Sequence, residues 1–327
     1  MEPKKVYACY NTNKAVRLSS SSGAVFSSLA QYVLKKRGII YGVTMSDDCY
    51  SAKFIAVTNE VDMVRLRGSK YIQAKIGDTF NDVKKNLLAE KLVLFTGTGC
   101  QINGLKSFLG KDYDNLICVD IMCHGIPSPA LWEKYVKYQE KKNDGKLKYI
   151  NFRCKDDSWI SYGMEEVFKG NLKGKEKKLY IPKDADPYMQ MFLKDYSLRP
   201  SCYECVAKKE KKSDMTIADF WGIQEFSPEM SDNMGTSLVL IRTDKGQVIF
   251  NNISNTVNLK ELSYEIGVKC NPAEYMSCLR PQQRDEFFLD MRSMDFEDLI
   301  KKYTTPIKYS LKTKYKIIVK KIIKSIR

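Results

Sequence analysis

The residues best suited to chemistry are cysteines. Cys202-Tyr203-Glu204-Cys205 is a C-x-x-C turn, a spacing that lets two thiolates hold one metal centre. Two more cysteines, Cys100 and Cys123, each follow a short apolar run of strand type. If those runs are neighbouring parallel strands, all four thiols meet at one edge of a sheet. Four thiolates suit a [4Fe-4S] cluster or a structural zinc, and the spacing leaves both open. Cys9, Cys49, Cys118, Cys154, Cys270 and Cys278 read as ordinary thiols of the core or surface. His124 is the only histidine among 327 residues, which excludes Cys₂His₂ fingers, H-E-x-x-H proteases and His-rich zinc sites. A Cys100/His124 nucleophilic pair ranks below the metal readings, because nothing near it orients the imidazole.

The elements that must position these thiols follow from periodicity. Val25, Leu29, Tyr32 and Val33 recur at helical spacing behind the run Ser19-Ser20-Ser21-Ser22-Gly23, and Gly38 closes the helix. Strands are expected over 39–43, 53–59, 92–95 and 116–121, with a helix over 101–109 between the last two. Such a strand-helix-strand unit makes its strands parallel and puts both carboxyl-end loops on one edge, where ligands of α/β proteins bind. Cys100 and Cys123 sit in those loops. Ser128-Pro129 opens a further helix, 149–181 reads as short strands, and a helix is expected near 186–196. Strands at 215–218 and 237–241 precede mainly helical patterns from Lys245 onward.

The fold class is therefore α/β: a mixed sheet with flanking helices, a β-rich insertion and a helical C-terminal region. Three parts are expected. Residues 1–145 form an N-terminal cofactor-binding region, and 146–307 a C-terminal region carrying the C-x-x-C. Residues 308–327 form a tail helix, apolar on one face and lysine-covered on the other. That tail holds eight Lys or Arg and no acid, a large share of the net charge of +15. The body is only moderately basic, and no zinc finger or RNP-like motif accompanies the charge, so nucleic-acid binding is not expected. No signal peptide or membrane-spanning run is read, which predicts a cytoplasmic protein whose cysteines stay reduced. The tail would suit reversible contact with the inner membrane surface.

Two loops offer anion sites. Gly97-Thr98-Gly99 precedes a helix, although it lacks the third glycine of a dinucleotide fingerprint. The Ser19 to Gly23 loop adds hydroxyls at a second helix start.

Six ordered segments resemble the coenzyme F420 hydrogenase/dehydrogenase beta-subunit family across about residues 5–250. They are SSSSGAVFSSLAQYVL at 19–34, TGTGCQINGLKSFL at 96–109, VDIMCHGIPSP at 119–129, FRCKDDSW at 152–159, LRPSCYECVAKKEKKSDMTIADFWG at 198–222 and GTSLVLIRTDKG at 235–246. The resemblance implies an iron–sulfur flavoprotein oxidoreductase, with a [4Fe-4S] cluster on Cys100, Cys123, Cys202 and Cys205. It also implies FAD against the two loops, with Ser21, Ser22, Gly23, Thr98, Gly99, Asn103, Lys155 and Asp219 as flavin contacts. The sequence departs from the family pattern at Gly99 before Cys100, at Ala24 in place of a glycine, and at Ala218 before Asp219. The ferredoxin-like segment of many relatives is absent, so a separate ferredoxin-like donor is expected. Relatives of this form resemble proteins associated with surface-polysaccharide synthesis. The substrate is a small molecule or sugar-linked intermediate, with F420 itself a lesser candidate. The competing reading is a zinc-stabilised, non-catalytic partner protein in a polysaccharide assembly.

Overall fold

The computed structural model describes residues 2–170 and 176–306. A nine-stranded sheet runs β12-β1-β11-β10-β6-β5-β2-β3-β4. Its strands are β1 (Lys5–Asn11), β2 (Ile39–Met45), β3 (Ala52–Val57), β4 (Ala74–Lys75), β5 (Val93–Thr98), β6 (Leu116–Ile121), β10 (Met215–Asp219), β11 (Ser237–Ile241) and β12 (Val257–Leu262). The central strands β2, β5, β6 and β10 are parallel neighbours, and the outer pairs β2–β3, β10–β11, β11–β1 and β1–β12 are antiparallel. A second, three-stranded antiparallel sheet comprises β7 (Gly145–Cys154), β8 (Gly163–Gly170) and β9 (Glu176–Pro182). This is the mixed α/β architecture expected. Strands from both sides of residue 145 share the large sheet.

Both faces of that sheet are covered. Helix Val25–Lys35 turns Val25, Leu29, Ala30 and Val33 onto one face, against Ile40, Leu94 and Ile117. The other face takes Gly99–Leu109 and Pro129–Asn143, with Ile102, Leu105, Leu131, Trp132 and Tyr135 fully buried. Each such side chain contributes roughly 1.5–3 kcal/mol of transfer free energy. The parallel centre reads as near-continuous apolar runs because it is buried on both faces.

Two strands correct the expected pattern. Lys5–Asn11 was not anticipated, and Val257–Leu262 falls in a region expected to be mainly helical. All but the first and last of its six residues are exposed, so β12 shows no buried alternation by which to recognise an edge strand. Gly97-Thr98-Gly99 is also not a loop. Strand β5 continues to Thr98 and the helix begins at Gly99, joined by a capping box between Thr98 and Gln101. The amphipathic tail, 308–327, lies outside the described residues.

The second sheet is fastened through a buried proton-sharing group. Tyr135 Oη lies 2.5 Å from Glu166 Oε1 and 2.6 Å from Asp186 Oδ2. A phenol donates one proton, so one of the two carboxyls must keep its own and donate back. Burial, reinforced by the Asp186 charge, pushes Glu166 up to about 8, and burial raises Asp186 to about 6. The folded chain thus holds a proton more tightly than the unfolded one, whose Glu titrates near 4.5. Stability is full below that value and falls as pH rises toward about 8. Denaturant unfolding at pH 5 and pH 8.5 is expected to show this loss, and Glu166→Gln to flatten it. An unchanged pH slope in the variant would locate the titration elsewhere.

Candidate functional site

The parallel strands end together, and a cleft opens at their carboxyl edge. It counts about 1420 Å³ out to open solvent. Its floor is Thr96–Thr98 of β5, Ile121 to Ile126 after β6, and Ile217–Asp219 of β10. One wall is Ser20, Ser21 and Ser22 with the start of helix Val25–Lys35, and the other is the segment 66–72. The crossover rule that joined β5 to β6 also brings these loops to one edge.

The four expected thiols are brought near one another, and of them Cys123 lines the cleft. Cys100 is exposed at the first turn of its helix, with Thr98 Oγ1 3.1 Å from its sulfur. Cys123 follows β6 and lines the cleft. Cys202 accepts a long bond from the Ile126 amide at 3.4 Å, and the Cys205 amide donates to Ser277 Oγ at 3.0 Å. Burial raises the Cys123 thiol to about 12, and the neighbouring thiols Cys100, Cys202 and Cys205 add to that rise against the Lys208 ammonium. One thiol thus senses the other three. No three of the four sulfurs lie within 4.8 Å of one another. Tetrahedral zinc with bonds near 2.3 Å would need separations of about 3.8 Å.

Gly99 lies where the two helices of this grouping pack closely. A Cβ there would sit 3.1 Å from Ala207 Cβ and 3.3 Å from Asp120 Oδ2. Its lack of a side chain lets the helix Val206–Lys209, which carries the C-x-x-C at its start, pack against the helix bearing Cys100. Lys208 closes the arrangement by donating to the carbonyl of Cys123, at 2.5 Å, and to that of Ala273.

Of the expected flavin contacts, Ser21, Ser22, Thr98 and Asp219 line the cleft. Asp219 Oδ1 already accepts from Arg153 Nη2 at 3.1 Å and Trp159 Nε1 at 3.0 Å. The other four face elsewhere. The Gly23 amide donates to Ser237 Oγ at 2.9 Å, with its Cα packed against the Cys9 carbonyl. Gly99 serves the helix contact, and Asn103 Nδ2 donates to the Glu210 carbonyl at 2.9 Å. Lys155 donates to the carbonyls of Arg17 and Ser22, both at 2.9 Å, and of Met234 at 2.7 Å. It fastens the serine loop from behind, and burial lowers its ammonium to about 7.

Arg67, Ser69, Lys70 and His124 were not singled out as ligand-binding residues and line the same cleft. Arg67 donates to Ser27 Oγ at 3.1 Å, and Ser69 N donates to Ser21 Oγ at 2.8 Å. Lys70 donates to the carbonyls of Arg67 and Arg65 at 2.7 and 3.1 Å, and burial lowers it to about 7. Among the described residues neither cation has a carboxylate partner. No spacing rule marks a VRLRGSK turn, and only the fold lays it over the serines. His124 Nε2 lies 2.6 Å from Asp195 Oδ1. Cys278 Sγ is 3.7 Å and 3.6 Å from its two ring nitrogens and 2.9 Å from its carbonyl oxygen, so the trio is a hydrogen-bonded support beside the thiols.

Ala24, where relatives have glycine, has φ +65° and is buried at the cleft wall. A left-handed conformation costs an L-residue roughly 1–2 kcal/mol, partly offset by the extra unfolded-state entropy of glycine. Ala24→Gly is therefore expected to raise the midpoint of denaturant unfolding, with a gain in unfolding free energy of up to about 1 kcal/mol. A fall in the midpoint would show that the methyl packs better than it strains.

A cleft therefore opens at the carboxyl edge of a parallel α/β core, with Cys123 in its lining and the cations Arg67 and Lys70 beside it. The chain belongs to the coenzyme F420 hydrogenase/dehydrogenase beta-subunit family. It matches that family's N-terminal region over residues 6–79 and its C-terminal region over residues 90–266. It is 23% identical over 260 residues to the coenzyme F420-dependent sulfite reductase of Methanocaldococcus jannaschii, covering 79% of this chain and 38% of that protein. The chain thus spans well under half the length of that relative. In fold it resembles a chain of the F420-reducing [NiFe] hydrogenase complex from Methanosarcina barkeri, with a TM-score of 0.50 at 13% identity, covering 92% of this chain and 91% of that one. Both named relatives belong to oxidoreductases. No helix among the described residues is long and apolar enough to cross a membrane.

Proposed function

We propose that this chain is an iron–sulfur flavoprotein oxidoreductase, holding a [4Fe-4S] cluster on Cys100, Cys123, Cys202 and Cys205 and FAD in the cleft. The observation that carries this reading is the position of Cys123, which belongs both to the thiol group and to the lining of the cleft. Membership of the F420 hydrogenase/dehydrogenase beta-subunit family favours a cluster over a structural zinc.

A cluster beside a flavin supplies single-electron delivery and two-electron or hydride chemistry, which a protein tunes by burial and hydrogen bonding. The residues here have definable tasks. Arg67, Lys70 and Ser21 receive the phosphates of the cofactor, where cations and a hydroxyl stabilise negative charge, while Ser22 borders them with its own hydroxyl donated to the Thr236 carbonyl. Thr98 and Asp219 border the floor, and Lys155 holds the serine loop in place. Lys208 and the Ile126 amide steady the thiol loops. Electrons come from a ferredoxin-like donor. The acceptor is a small molecule, for which F420 is one candidate because both named relatives use it, or a surface-polysaccharide intermediate. Peripheral attachment of residues 308–327 to an anionic membrane surface belongs to the same reading.

Anaerobic purification with iron, sulfide, zinc and flavin analysis tests the proposal. It requires about four irons and sulfides per chain together with flavin. Zinc without iron and flavin would overturn it in favour of a zinc-stabilised partner protein.

A further inference from the structure

One cation is built into the thiol group itself. Lys208 lies in the helix Val206–Lys209, directly after the C-x-x-C, and is half-buried. Its ammonium donates to the carbonyl of Cys123 at 2.5 Å and to that of Ala273. Both acceptors are neutral, and among the described residues no carboxylate pairs with it. Its surroundings are fixed on two sides. Ala207, its neighbour in the chain, packs against Gly99. Glu274, 2% exposed and next to Ala273, is held by Arg242 Nη2 at 2.5 Å and by Lys211 Nζ at 3.2 Å. The charge of Lys208 therefore cannot swing out to water without giving up two bonds.

The other charges nearby are screened or engaged. Arg199 is close enough to the Cys202 thiol to favour its thiolate, but it is exposed. His124 and Asp195 bond to each other. Asp120, whose Oδ2 faces Gly99, accepts the hydroxyls of Ser213 and Thr216 on Oδ1, both at 2.6 Å. Burial opposes charge on the Cys123 sulfur, and the Lys208 ammonium is the strongest influence in the opposite direction. An electron entering a centre on four thiolates adds negative charge where burial already disfavours it. A cation fixed at that place offsets part of the cost, and solvent weakens it less than it would a surface charge.

We propose that Lys208 raises the reduction potential of the centre on Cys100, Cys123, Cys202 and Cys205, so that it takes an electron more readily from a one-electron donor. The inference rests on the reading of the four thiols as a [4Fe-4S] site and adds the group that tunes it. Lys208 is a positioning and tuning residue, touching the backbone of one ligand and not the substrate. One electron leaves the donor and enters the centre, no bond is made or broken, and Lys208 keeps its proton throughout.

The test is an anaerobic redox titration with dithionite, followed by electron paramagnetic resonance of the reduced cluster. Lys208→Gln and Lys208→Met should favour the oxidised form about tenfold relative to wild type, a fall of about 59 mV for a one-electron couple, with iron content unchanged. Lys208→Arg should stay near the wild-type potential because it keeps the charge. Arg199→Gln should move the potential much less, because solvent screens an exposed cation. An unchanged potential in the neutral Lys208 variants, at full iron content, would overturn the proposal. So would a fall in Lys208→Arg as large as that in Lys208→Met, or loss of iron from both neutral variants, since the side chain would then hold the shape of the thiol loops rather than set a potential. Absence of iron from the wild type as well would overturn the cluster reading first and the tuning proposal with it.

Discussion

Cys202→Ser is expected to lose essentially all of the iron of the protein, from about four atoms per chain to less than one, with the visible absorption of the cluster disappearing in parallel. The reason is the position of Cys202. It approaches the group from the C-x-x-C turn, a segment separated by some eighty residues of chain from Cys123, and receives only the 3.4 Å Ile126 amide bond in compensation. A serine oxygen is a harder donor on a shorter side chain and does not replace a thiolate at an iron corner. Cys202 does not line the cleft, so flavin binding should persist in the variant and separate the two cofactors. Cys118→Ala provides the comparison, since that thiol is buried within β6, with burial raising it to about 12, and it should leave iron unchanged. Iron content that is equal in Cys202→Ser and wild type would show the ligand set to be wrong.

Arg67→Ala should weaken FAD binding by about ten- to a hundredfold, corresponding to the roughly 1.5–3 kcal/mol of a hydrogen bond to a charged group. Arg67 faces the cleft beside the serine loop with only neutral partners, and burial already lowers its affinity for its own proton. An unpaired guanidinium in such a place gains from an anion. Fluorescence titration with FAD and with riboflavin discriminates the cause, because riboflavin has no phosphate. The variant should lose affinity for FAD and little for riboflavin, and Arg67→Lys should recover part of the loss. Equal losses for both flavins would mean that Arg67 holds the shape of the wall rather than a phosphate.

The sequence by itself determined the central strand-helix-strand unit, because apolar runs at 92–95 and 116–121 surround a helix whose cap is local. It therefore also determined that Cys100 and Cys123 share an edge, since strands joined by such a crossover run parallel and end on the same side of the sheet. The C-x-x-C at Cys202 and Cys205 is local as well. Tertiary structure alone decided the edges and the cleft wall. Strand β12 pairs with β1 across almost the whole chain, and its exposed residues give no period by which to recognise it. The same is true of function within the site. Gly99, Asn103 and Lys155 have residue types suited to a cofactor, yet their amide, ammonium and absent side chain are engaged by Ala207, Glu210 and the serine loop. Arg67 and Lys70 lie in an unremarkable turn and reach the cleft only because that turn is folded over Ser21. Hydrogen-bond partners distant in sequence consume or release polar groups, and that accounting exists only in the folded chain.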